Sequence, residues 1–377
     1  MEITPKTLRP LFEHYPALRD TLPHAMLGDL PTPIARMEHI EQALGPDGPA
    51  LYVKRDDLSG KLYGGNKVRK LEFLLGRALH DGRKAVLTFG AAGSNHALAT
   101  ALYARQLGLG CISMLVPQPN AHSVRRNLLM GYRAGAELHA AANMGQATYR
   151  TLWQIAKHWA AQGRLPYLIP PGGSSPVGLL GFVNAGFELK AQIAAGEIPE
   201  PDCVYAASGT MGTVVGLLLG FQLAGLRTKM VAVRVTAPQF SSVQKAAKLF
   251  GATNRLLHKA DPSIPLVPFP EPSFEFRHEF YGEQYAMYTD EAVAAVRQVR
   301  DLEGVKLEGT YTGKTFAAVS ADTRAGRLKG KTVLFWDTYN STDFSAEIAD
   351  LDYHVLPKPF HRYFEQDVQP LDRDSAH

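Results

Sequence analysis

Lys67 follows a stretch of small residues and stands at the start of a predicted helix. Residues 64–67 read Gly-Gly-Asn-Lys, and apolar side chains then recur at helical spacing, at Leu71, Leu74, Leu75 and Ala78. A cation at the first turn of a helix opposes the helix dipole, whereas a neutral amine bound as an imine does not. One hypothesis is therefore a lysine that holds pyridoxal phosphate as a Schiff base. The alternative, a solvated surface lysine after a Gly-Gly turn, is favoured when the Gly-Gly-Asn-Lys motif is taken alone.

Residues 208–213, with the sequence SGTMGT, have the composition of a phosphate-binding loop. They follow the strand-like run DCVYAA and lead into the apolar helical run TVVGLLLGFQLAG. Glycines let backbone N–H groups turn inward, hydroxyls add hydrogen bonds, and the helix N-terminus adds partial positive charge. The spacing matches neither a Walker loop nor a dinucleotide-binding loop, and an ordinary strand–helix turn is the alternative. Together with Lys67, the loop favours the phosphate of pyridoxal phosphate, with the candidate ligands Ser208, Gly209, Thr210, Met211, Gly212 and Thr213.

The order of apolar runs predicts an α/β fold. In residues 84–117 a strand, a glycine-containing turn, a helix and a second strand follow one another, and residues 202–235 repeat this order. A polar helical stretch at 143–163 lies between them, and residues 331–337 form one more apolar strand. Strands that alternate with helices predict parallel sheets covered on both faces, which gives three α/β/α layers.

The composition is that of an ordinary globular chain of 377 residues, long enough for one large or two medium domains. A net charge of +4 without clustered basic residues gives no reason to expect nucleic acid as a partner. No apolar run approaches the roughly 20 residues of a membrane span, and the acidic start is unlike a secretory signal. We therefore expect a cytoplasmic protein without a membrane partner. Cys111 and Cys203 lie in apolar runs and are expected to be buried free thiols, and no metal site is expected.

Residues 54–79, KRDDLSGKLYGGNKVRKLEFLLGRAL, resemble the lysine segment of the family of 1-aminocyclopropane-1-carboxylate deaminases and D-cysteine desulfhydrases. Similar blocks follow in the family's order at residues 93–109, 169–182, 207–213 and 281–319, so the resemblance runs from Gly28 to about Ser345. It implies a pyridoxal-phosphate enzyme with the tryptophan-synthase β fold, known as fold type II. It also implies a homodimer whose chains each have two domains around a cofactor cleft. The small domain, 69–182, is inserted into a large domain formed by 1–68 and 183–377.

The resemblance also assigns roles to residues around the cleft. Lys67 holds the cofactor, and Lys70, one turn further on, reaches its phosphate, although the sequence alone favours a solvated charge at this position. Asn95 bonds the hydroxyl of the cofactor ring, and Ser94 helps to bind the substrate carboxylate, which a helix N-terminus also favours. Without the family, Ser94 is a plain N-cap and His96 is a first-turn surface residue. With it, His96 is a contact on the substrate side.

Tyr311 and Thr312 match the family's pair of a tyrosine and a polar residue. Tyr311 exchanges a proton with the substrate and, with Lys67 and Ser94, makes up the predicted catalytic set; a half-buried structural tyrosine is the alternative. The deaminases carry a glutamate at the second position, against the pyridine nitrogen, whereas the desulfhydrases carry threonine. A hydroxyl supports a neutral pyridine and a weaker electron sink. Such a sink suits loss of an α-proton and a β-substituent better than it suits opening of a cyclopropane ring.

Residues 336–340 depart from the family. Where relatives have His-Thr-Gly-Gly after the last strand, this chain has Asp337-Thr338-Tyr339-Asn340, preceded by Trp336. Thr338 is kept as a cofactor contact. We expect Tyr339 and Asn340 to project into space that relatives leave open, and Asp337 to change the charge of the pocket. Gly93 stands where many relatives have glutamine.

The expected reaction is α,β-elimination on a small amino acid, with D-cysteine as the favoured substrate and pyruvate, ammonia and hydrogen sulfide as products. Lys67 is the expected base for the α-proton. Alternatives on the same scaffold are a 1-aminocyclopropane-1-carboxylate deaminase, a β-replacement enzyme, or a lyase for another β-substituted amino acid. A non-catalytic protein that binds pyridoxal phosphate is a further alternative, which the retention of Lys67, Ser94, Asn95 and Tyr311 disfavours.

Two segments fall outside these motifs. Residues 261–280 contain five prolines, so they cannot be a central strand or a helix. We expect a surface excursion near the cleft or a subunit contact there. The polar tail after about Leu351 is expected to be partly disordered or to pack on a neighbour.

Overall fold

The computed structural model describes residues 9–373, apart from the side chain of Met144. Within this range the strands are β1 (Ile34–Arg36), β2 (Ala50–Arg55), β3 (Ala85–Ala91), β4 (Gly110–Val116), β5 (Glu137–Ala140), β6 (Tyr167–Ile169), β7 (Cys203–Ser208), β8 (Lys229–Arg234), β9 (Phe274–Arg277) and β10 (Thr332–Asp337). The α-helices are α1 (Pro10–His14), α2 (Leu18–Thr21), α3 (Glu38–Leu44), α4 (Lys67–His80), α5 (Asn95–Gln106), α6 (His122–Arg133), α7 (Met144–Gln162), α8 (Pro176–Ala194), α9 (Gly212–Leu223), α10 (Val243–Ala260), α11 (Asp290–Glu303), α12 (Thr312–Arg324), α13 (Ser345–Ile348) and α14 (Arg362–Glu365).

The strands form two sheets. The larger sheet has the order β1-β2-β10-β7-β8-β9, and among these strands β1 alone runs antiparallel to its neighbour. The smaller sheet has the order β5-β4-β3-β6 and is parallel throughout. The predicted α/β fold with parallel sheets is therefore confirmed. The smaller sheet lies inside the predicted small domain, but the domain boundaries stay a prediction.

The two predicted strand–helix–strand units are present. They correspond to β3, α5 and β4 in the smaller sheet and to β7, α9 and β8 in the larger one, and the late apolar strand is β10. Cys111 and Cys203 are buried and unpaired, as predicted. Within residues 9–373, no helix is both long and apolar enough to cross a membrane.

Helices α8 and α9 pack closely against each other in the core that the larger sheet covers. They meet where Gly186 faces Gly220, and a Cβ on Gly186 would lie 2.7 Å from the Cα of Gly220. A side chain there would push the helices apart, since close approach needs small residues at the crossing. This packing fixes α9, whose N-terminus carries the predicted phosphate loop.

A buried network of charges holds helix α4 in place. Arg69 makes two hydrogen bonds to Asp56, at 2.9 and 2.7 Å, and two to Glu188, at 2.8 and 2.9 Å. Lys54 also donates to Glu188, at 2.6 Å, and all four side chains are buried. Because Arg69 lies two residues after Lys67 on α4, these bonds fix the rotation of the helix and so the position of Lys67.

The Pro-rich stretch runs along one edge of the larger sheet. After its last proline, Pro272, the chain forms β9, which pairs in parallel with β8 as an edge strand. Ile264 and Phe274 are buried in the same core as α8 and α9. These two apolar side chains cover the edge of the core, while most of residues 261–280 are exposed or half-buried, as a surface excursion requires. A place near the cleft or at a subunit contact stays a prediction.

Residues 351–373 pack on helix α6 of the same chain. Leu356, Phe360 and Tyr363 are buried in one cluster with residues of α5 and α6. Arg125 of α6 donates from Nε to the carbonyl oxygen of Tyr363 at 2.7 Å. The expected partial disorder is therefore wrong for residues 351–373, and the rest of the tail lies outside the described residues. Packing on a neighbour stays a prediction. Polar residues separate these apolar side chains in the sequence, which concealed the buried face of the tail.

One residue of this tail, Gln369, joins two loops. Its backbone N–H donates to the carbonyl oxygen of Asn120, in the loop before α6, at 2.9 Å. Its side chain accepts from the N–H of Tyr288 at 2.8 Å and donates to the carbonyl oxygen of Ala286 at 3.1 Å. The tail thereby connects the start of α6 to the loop before α11.

Candidate active site

A cavity of about 240 Å³ lies at the carboxyl ends of strands from both sheets. That volume is far above the roughly 10–15 Å³ that one water molecule requires. Ligands of open α/β sheets bind at this edge, where the strands end and the following loops diverge. The predicted site residues that line the cavity are Lys67, Lys70, Ser94, Asn95, His96, Gly209, Thr210, Met211, Gly212, Thr213, Tyr311 and Thr338.

Lys67 is the first residue of α4, as its sequence context predicts. Burial lowers the pKa of its amine to about 8, and the carboxylate of Glu308 limits the fall. An amine with this pKa is partly neutral near pH 7, as imine formation requires. The turn before it needs glycine: Gly65 has a φ of 88°, and a Cβ there would lie 2.5 Å from the carbonyl oxygen of Tyr339.

The predicted phosphate loop turns toward the cavity at the N-terminus of α9. Met211 adopts a φ of 69°, and α9 begins at Gly212. A Cβ on Gly212 would lie 2.5 Å from Ser174 Oγ and 2.6 Å from Lys70 Nζ, so only glycine leaves this corner free. Ser208 ends β7 with its hydroxyl buried, without a hydrogen-bond partner in the described chain. It is not among the residues that line the cavity.

Lys70 is buried beside this loop. Its Nζ donates to the carbonyl oxygen of Gly172 at 3.0 Å and to Ser174 Oγ at 3.4 Å. Burial, reinforced by the charge of Lys67, lowers the pKa of Lys70 well below its ordinary value. The solvated charge that the sequence alone favours is therefore wrong. The amine instead lies next to the N-terminus of α9, where an anion is stabilised.

The Ser94-Asn95-His96 stretch places three side chains on the cavity wall at the start of α5. Ser94 is both an N-cap, with Oγ accepting from the N–H of Ala97 at 3.2 Å, and a cavity residue. His96 is only 2% exposed, and neither ring nitrogen has a hydrogen-bond partner in the described chain. Burial, with the charges of Lys67 and Lys70, holds its pKa well below the ordinary value, so the ring is neutral. The first-turn surface alternative for His96 is wrong.

Tyr311 lines the cavity together with a tyrosine that the sequence did not reveal, Tyr285. Their hydroxyl oxygens lie 2.5 Å apart. Burial, strengthened by Tyr285, raises the pKa of Tyr311 well above its ordinary value, so both tyrosines are protonated near pH 7. The pair can hold and pass on a proton inside the cavity. Tyr285 belongs to the same sequence block as Tyr311, residues 281–319, which is the signal that could have found it.

Glu308 is a second cavity residue that the sequence did not reveal. Its carboxylate accepts from the backbone N–H groups of Thr310, Tyr311 and Thr312, at 2.7, 2.6 and 3.0 Å. Burial raises the pKa of Glu308, while these hydrogen bonds oppose the rise. Thr312 is buried behind it and is not among the cavity residues. The expected contact of Thr312 with the cofactor ring stays a prediction.

The residues that replace the family's glycines are held by hydrogen bonds. The hydroxyl of Tyr339 accepts from Arg126 Nη2 at 3.1 Å, and Asn340 Oδ1 accepts from the N–H of Gly64 at 2.7 Å. Both side chains belong to residues that line the cavity, whereas Asp337 does not. Burial, with Asp57 nearby, raises the pKa of Asp337 well above its ordinary value, which disfavours its charged form. The expected negative charge in the pocket is wrong because Asp337 is not among the residues that line the cavity.

The residues present fit a pyridoxal phosphate group. The amine of Lys67 is suited to bind its aldehyde, and the corner formed by Gly212, Lys70 and the start of α9 is suited to its phosphate. The unpartnered ring nitrogens of His96 are further buried polar atoms on the same wall. The cavity thus offers separate places for the two ends of the cofactor.

Comparisons with known proteins agree with this geometry. The model of a family described as pyridoxal-phosphate dependent enzyme matches residues 25–338. A putative 1-aminocyclopropane-1-carboxylate deaminase of Pyrococcus abyssi is 35% identical over 324 residues, covering 85% of this chain and 93% of the relative. A D-cysteine desulfhydrase of Yersinia pestis is 33% identical over 294 residues, covering 76% of this chain and 84% of the relative.

Two solved structures are also similar. The crystal structure of a 1-aminocyclopropane-1-carboxylate deaminase homologue superposes with a TM-score of 0.73 at 31% identity, covering 92% of this chain and 99% of the other. Threonine deaminase isoform 2 from Solanum lycopersicum superposes with a TM-score of 0.58 at 16% identity, covering 90% and 88%, and supports the fold alone. The fold is thus fold type II, the tryptophan-synthase β type. From sequence and structure together, the chain belongs to the pyridoxal-phosphate dependent enzymes, as a lyase of the group that holds the 1-aminocyclopropane-1-carboxylate deaminases and D-cysteine desulfhydrases.

Proposed function

We propose that the protein catalyses α,β-elimination on a small amino acid, with D-cysteine as the favoured substrate. D-cysteine and water would give pyruvate, ammonia and hydrogen sulfide. One observation carries the proposal: a partly neutral amine, Lys67, and a protonated hydroxyl pair, Tyr311 and Tyr285, line the same cavity. Elimination needs both, because the α-proton must be accepted and the leaving sulfur must receive a proton.

The other cavity residues bind and orient. The N-terminus of α5, with Ser94 and Asn95, offers hydrogen-bond donors to the substrate carboxylate. Residues 209–213 and Lys70 hold the phosphate of the cofactor, and the cofactor, when bound, supplies the electron sink for the α-carbon. Lys67 then accepts the proton that leaves this carbon. Burial of the cavity lining keeps water away from the amine and sustains its lowered pKa.

The resemblance favours D-cysteine over a cyclopropane substrate, because position 312 carries a hydroxyl where the deaminases carry a carboxylate, although Thr312 is not among the residues that line the cavity. The name of the Yersinia pestis relative supports the same substrate. The second candidate is a ring-opening deaminase, and one observation favours it. Glu308 places a carboxylate on the cavity wall although position 312 does not. The name of the Pyrococcus abyssi relative supports this second candidate.

Product analysis separates the two. The purified protein, loaded with pyridoxal phosphate, is incubated with D-cysteine, L-cysteine or 1-aminocyclopropane-1-carboxylate. Release of sulfide with an equal amount of pyruvate from D-cysteine is expected, with ring opening slow or absent. A four-carbon 2-oxo acid from the cyclopropane substrate, without sulfide from either cysteine, would establish the second candidate. The Lys67→Ala protein is the control, because products that still form in it do not come from this site.

A further inference from the structure

Arg126 of helix α6 does not line the cavity, yet its guanidinium contacts Tyr339, which does, and also contacts Asn127. Nη2 donates to the hydroxyl of Tyr339, a cavity residue, at 3.1 Å. Nε and Nη2 also lie 3.3 Å from Oδ1 of Asn127. A guanidinium is always charged and has donors only, so each of these oxygens must act as an acceptor toward it.

The orientation of the Asn127 amide is fixed by two neighbours that leave it no choice. On one side, Arg126 accepts nothing, so the oxygen of Asn127 must face it. On the other side, Nδ2 of Asn127 lies 2.9 Å from the carbonyl oxygen of Gly93, which can only accept. Both neighbours demand the same arrangement, with Oδ1 toward Arg126 and the NH₂ group away from it. The orientation therefore follows from chemistry and not from the assignment of the two amide atoms.

The orientation of the Asn127 amide determines which atom of Asn95 it binds. The NH₂ group of Asn127 also donates to Asn95 Oδ1 at 2.9 Å. The oxygen of Asn95 is therefore engaged from outside, and its own NH₂ group remains for the cavity that Asn95 lines. The hydroxyl of Tyr339 is likewise left to act as a donor. Its oxygen accepts from Arg126, and its proton has no acceptor within the described part of the chain.

We propose that Arg126 is a positioning residue that, together with the carbonyl oxygen of Gly93, sets the hydrogen-bond polarity of the cavity, so that Asn95 and Tyr339 both face it as donors. A ligand atom that either group contacts must then be a hydrogen-bond acceptor. It belongs either to the cofactor ring or to the carboxylate of the amino acid. This role of Arg126 holds for whichever small amino acid is the substrate, and it reaches Tyr339, a residue that relatives lack.

The test compares Arg126→Met with the native protein. Two dissociation constants are measured: that of pyridoxal phosphate from its absorbance on titration into cofactor-free protein, and that of D-alanine, which has no β-leaving group, from the absorbance change in loaded protein. We expect about five- to tenfold weaker binding of one of the two, the loss of one or two hydrogen bonds. A change in the first constant assigns the acceptor to the cofactor, and a change in the second assigns it to the amino acid. Less than twofold change in both overturns the proposal.

A double-mutant comparison separates this role from a general loss of structure. In a protein that carries Asn95→Ala and Tyr339→Phe, Arg126→Met should change either constant by less than twofold, because both receiving groups are gone. An undiminished effect in that background overturns the proposal.

Arg125→Met is the matched control: the neighbouring arginine binds the backbone of Tyr363 and Gln366 in the tail. If Arg125→Met weakens ligand binding as much, the effect comes from the packing of α6. Should Arg126→Met fail to fold, Arg126→Gln replaces it, because an amide carries an acceptor as well as donors and no longer requires both oxygens to accept.

Discussion

Glu308 and Thr312 bind each other reciprocally. The backbone N–H of Glu308 donates to the hydroxyl of Thr312 at 2.9 Å, and the N–H of Thr312 donates back to the carboxylate of Glu308 at 3.0 Å. The pair ties the turn before α12 to Thr312, the first residue of that helix. As a consequence, the hydroxyl of Thr312 is committed to the backbone, and the carboxylate of Glu308 is the group that reaches the cavity wall.

Thr312→Val should therefore lower the free energy of unfolding more clearly than it changes turnover. It leaves the buried N–H of Glu308 without an acceptor, which costs about 1–3 kcal/mol, and Thr312→Ser should restore most of this. Thr312→Glu should not produce efficient ring opening, because a glutamate there must break the reciprocal pair. Urea unfolding and release of the 2-oxo acid measure the two effects. A stable Thr312→Glu protein that opens the ring efficiently would show that position 312 reaches the cofactor.

Lys67 should capture pyridoxal phosphate with a pH midpoint near 8. A lysine with its pKa lowered to about 8 is roughly a tenth neutral at pH 7, so the rate should rise with pH and level off above the midpoint. The titratable groups around it are Glu308, Lys70 and His96, of which Glu308 alone raises its pKa. Glu308→Gln should therefore move the midpoint to lower pH. The rate is followed by the appearance of yellow colour, and borohydride should fix the cofactor on Lys67. A midpoint above 10 in the native protein would contradict the burial of this amine.

Exchange of residues 337–340 for His-Thr-Gly-Gly should lower stability and cofactor affinity. Asn340 Oδ1 accepts from the N–H groups of Gly64, at 2.7 Å, and Thr342, at 3.2 Å, so a glycine there releases the turn that precedes Lys67. Tyr339→Gly alone tests whether the bulky side chain obstructs the substrate, and Asn340→Asp keeps the acceptor as the matched control. Thermal unfolding and D-cysteine turnover are the measurements. A four-residue variant that is as stable as the native protein and turns over faster would contradict this view of Asn340.

Glu188→Gln should destabilise the protein by about 3–5 kcal/mol, because it leaves Arg69 and Lys54 buried with only one carboxylate between them. Burial alone would raise the pKa of Glu188, but Arg69 and Lys54 outweigh it and hold the pKa well below the ordinary value. A carboxyl with a depressed pKa stabilises the fold above its ordinary pKa of about 4.3, and this contribution is lost as the pH falls further. Urea midpoints at pH 7 and pH 3 measure it. The same exchange at exposed Glu38 is the control and should cost less than about 0.5 kcal/mol.

The sequence predicts those elements whose apolar runs are buried on both faces, such as β7 and β10. It misses β2, because the strand carries Lys54, which is buried only through its ionic partners. It also misses β6, three residues long and bounded by prolines. These patterns depend on contacts with distant parts of the chain.

The residues of the site also differ in how far they depend on contacts with distant parts of the chain. The positions of Lys67 at the start of α4 and of the loop at 208–213 before α9 could be predicted, since they depend on neighbours along the chain. Glu308 and Tyr285 lie in the sequence block 281–319, but the packing of α12 and of the loop before α11 brings them to the cavity. His96 and Lys70 were assigned to the surface by the sequence alone for the same reason: burial comes from other elements.

The bonds made by Gln369 have a consequence for how the protein is made and handled. A growing chain can complete both sheets and the phosphate loop before residue 369 is synthesised, yet the backbone of Ala286 and Tyr288, beside cavity residue Tyr285, still lacks its partner. The part of the cavity wall that carries the protonated tyrosines therefore gains these hydrogen bonds only near the end of translation. A protease or a bulky fusion partner that loosens residues 351–373 would act on turnover from a distance, without touching Lys67.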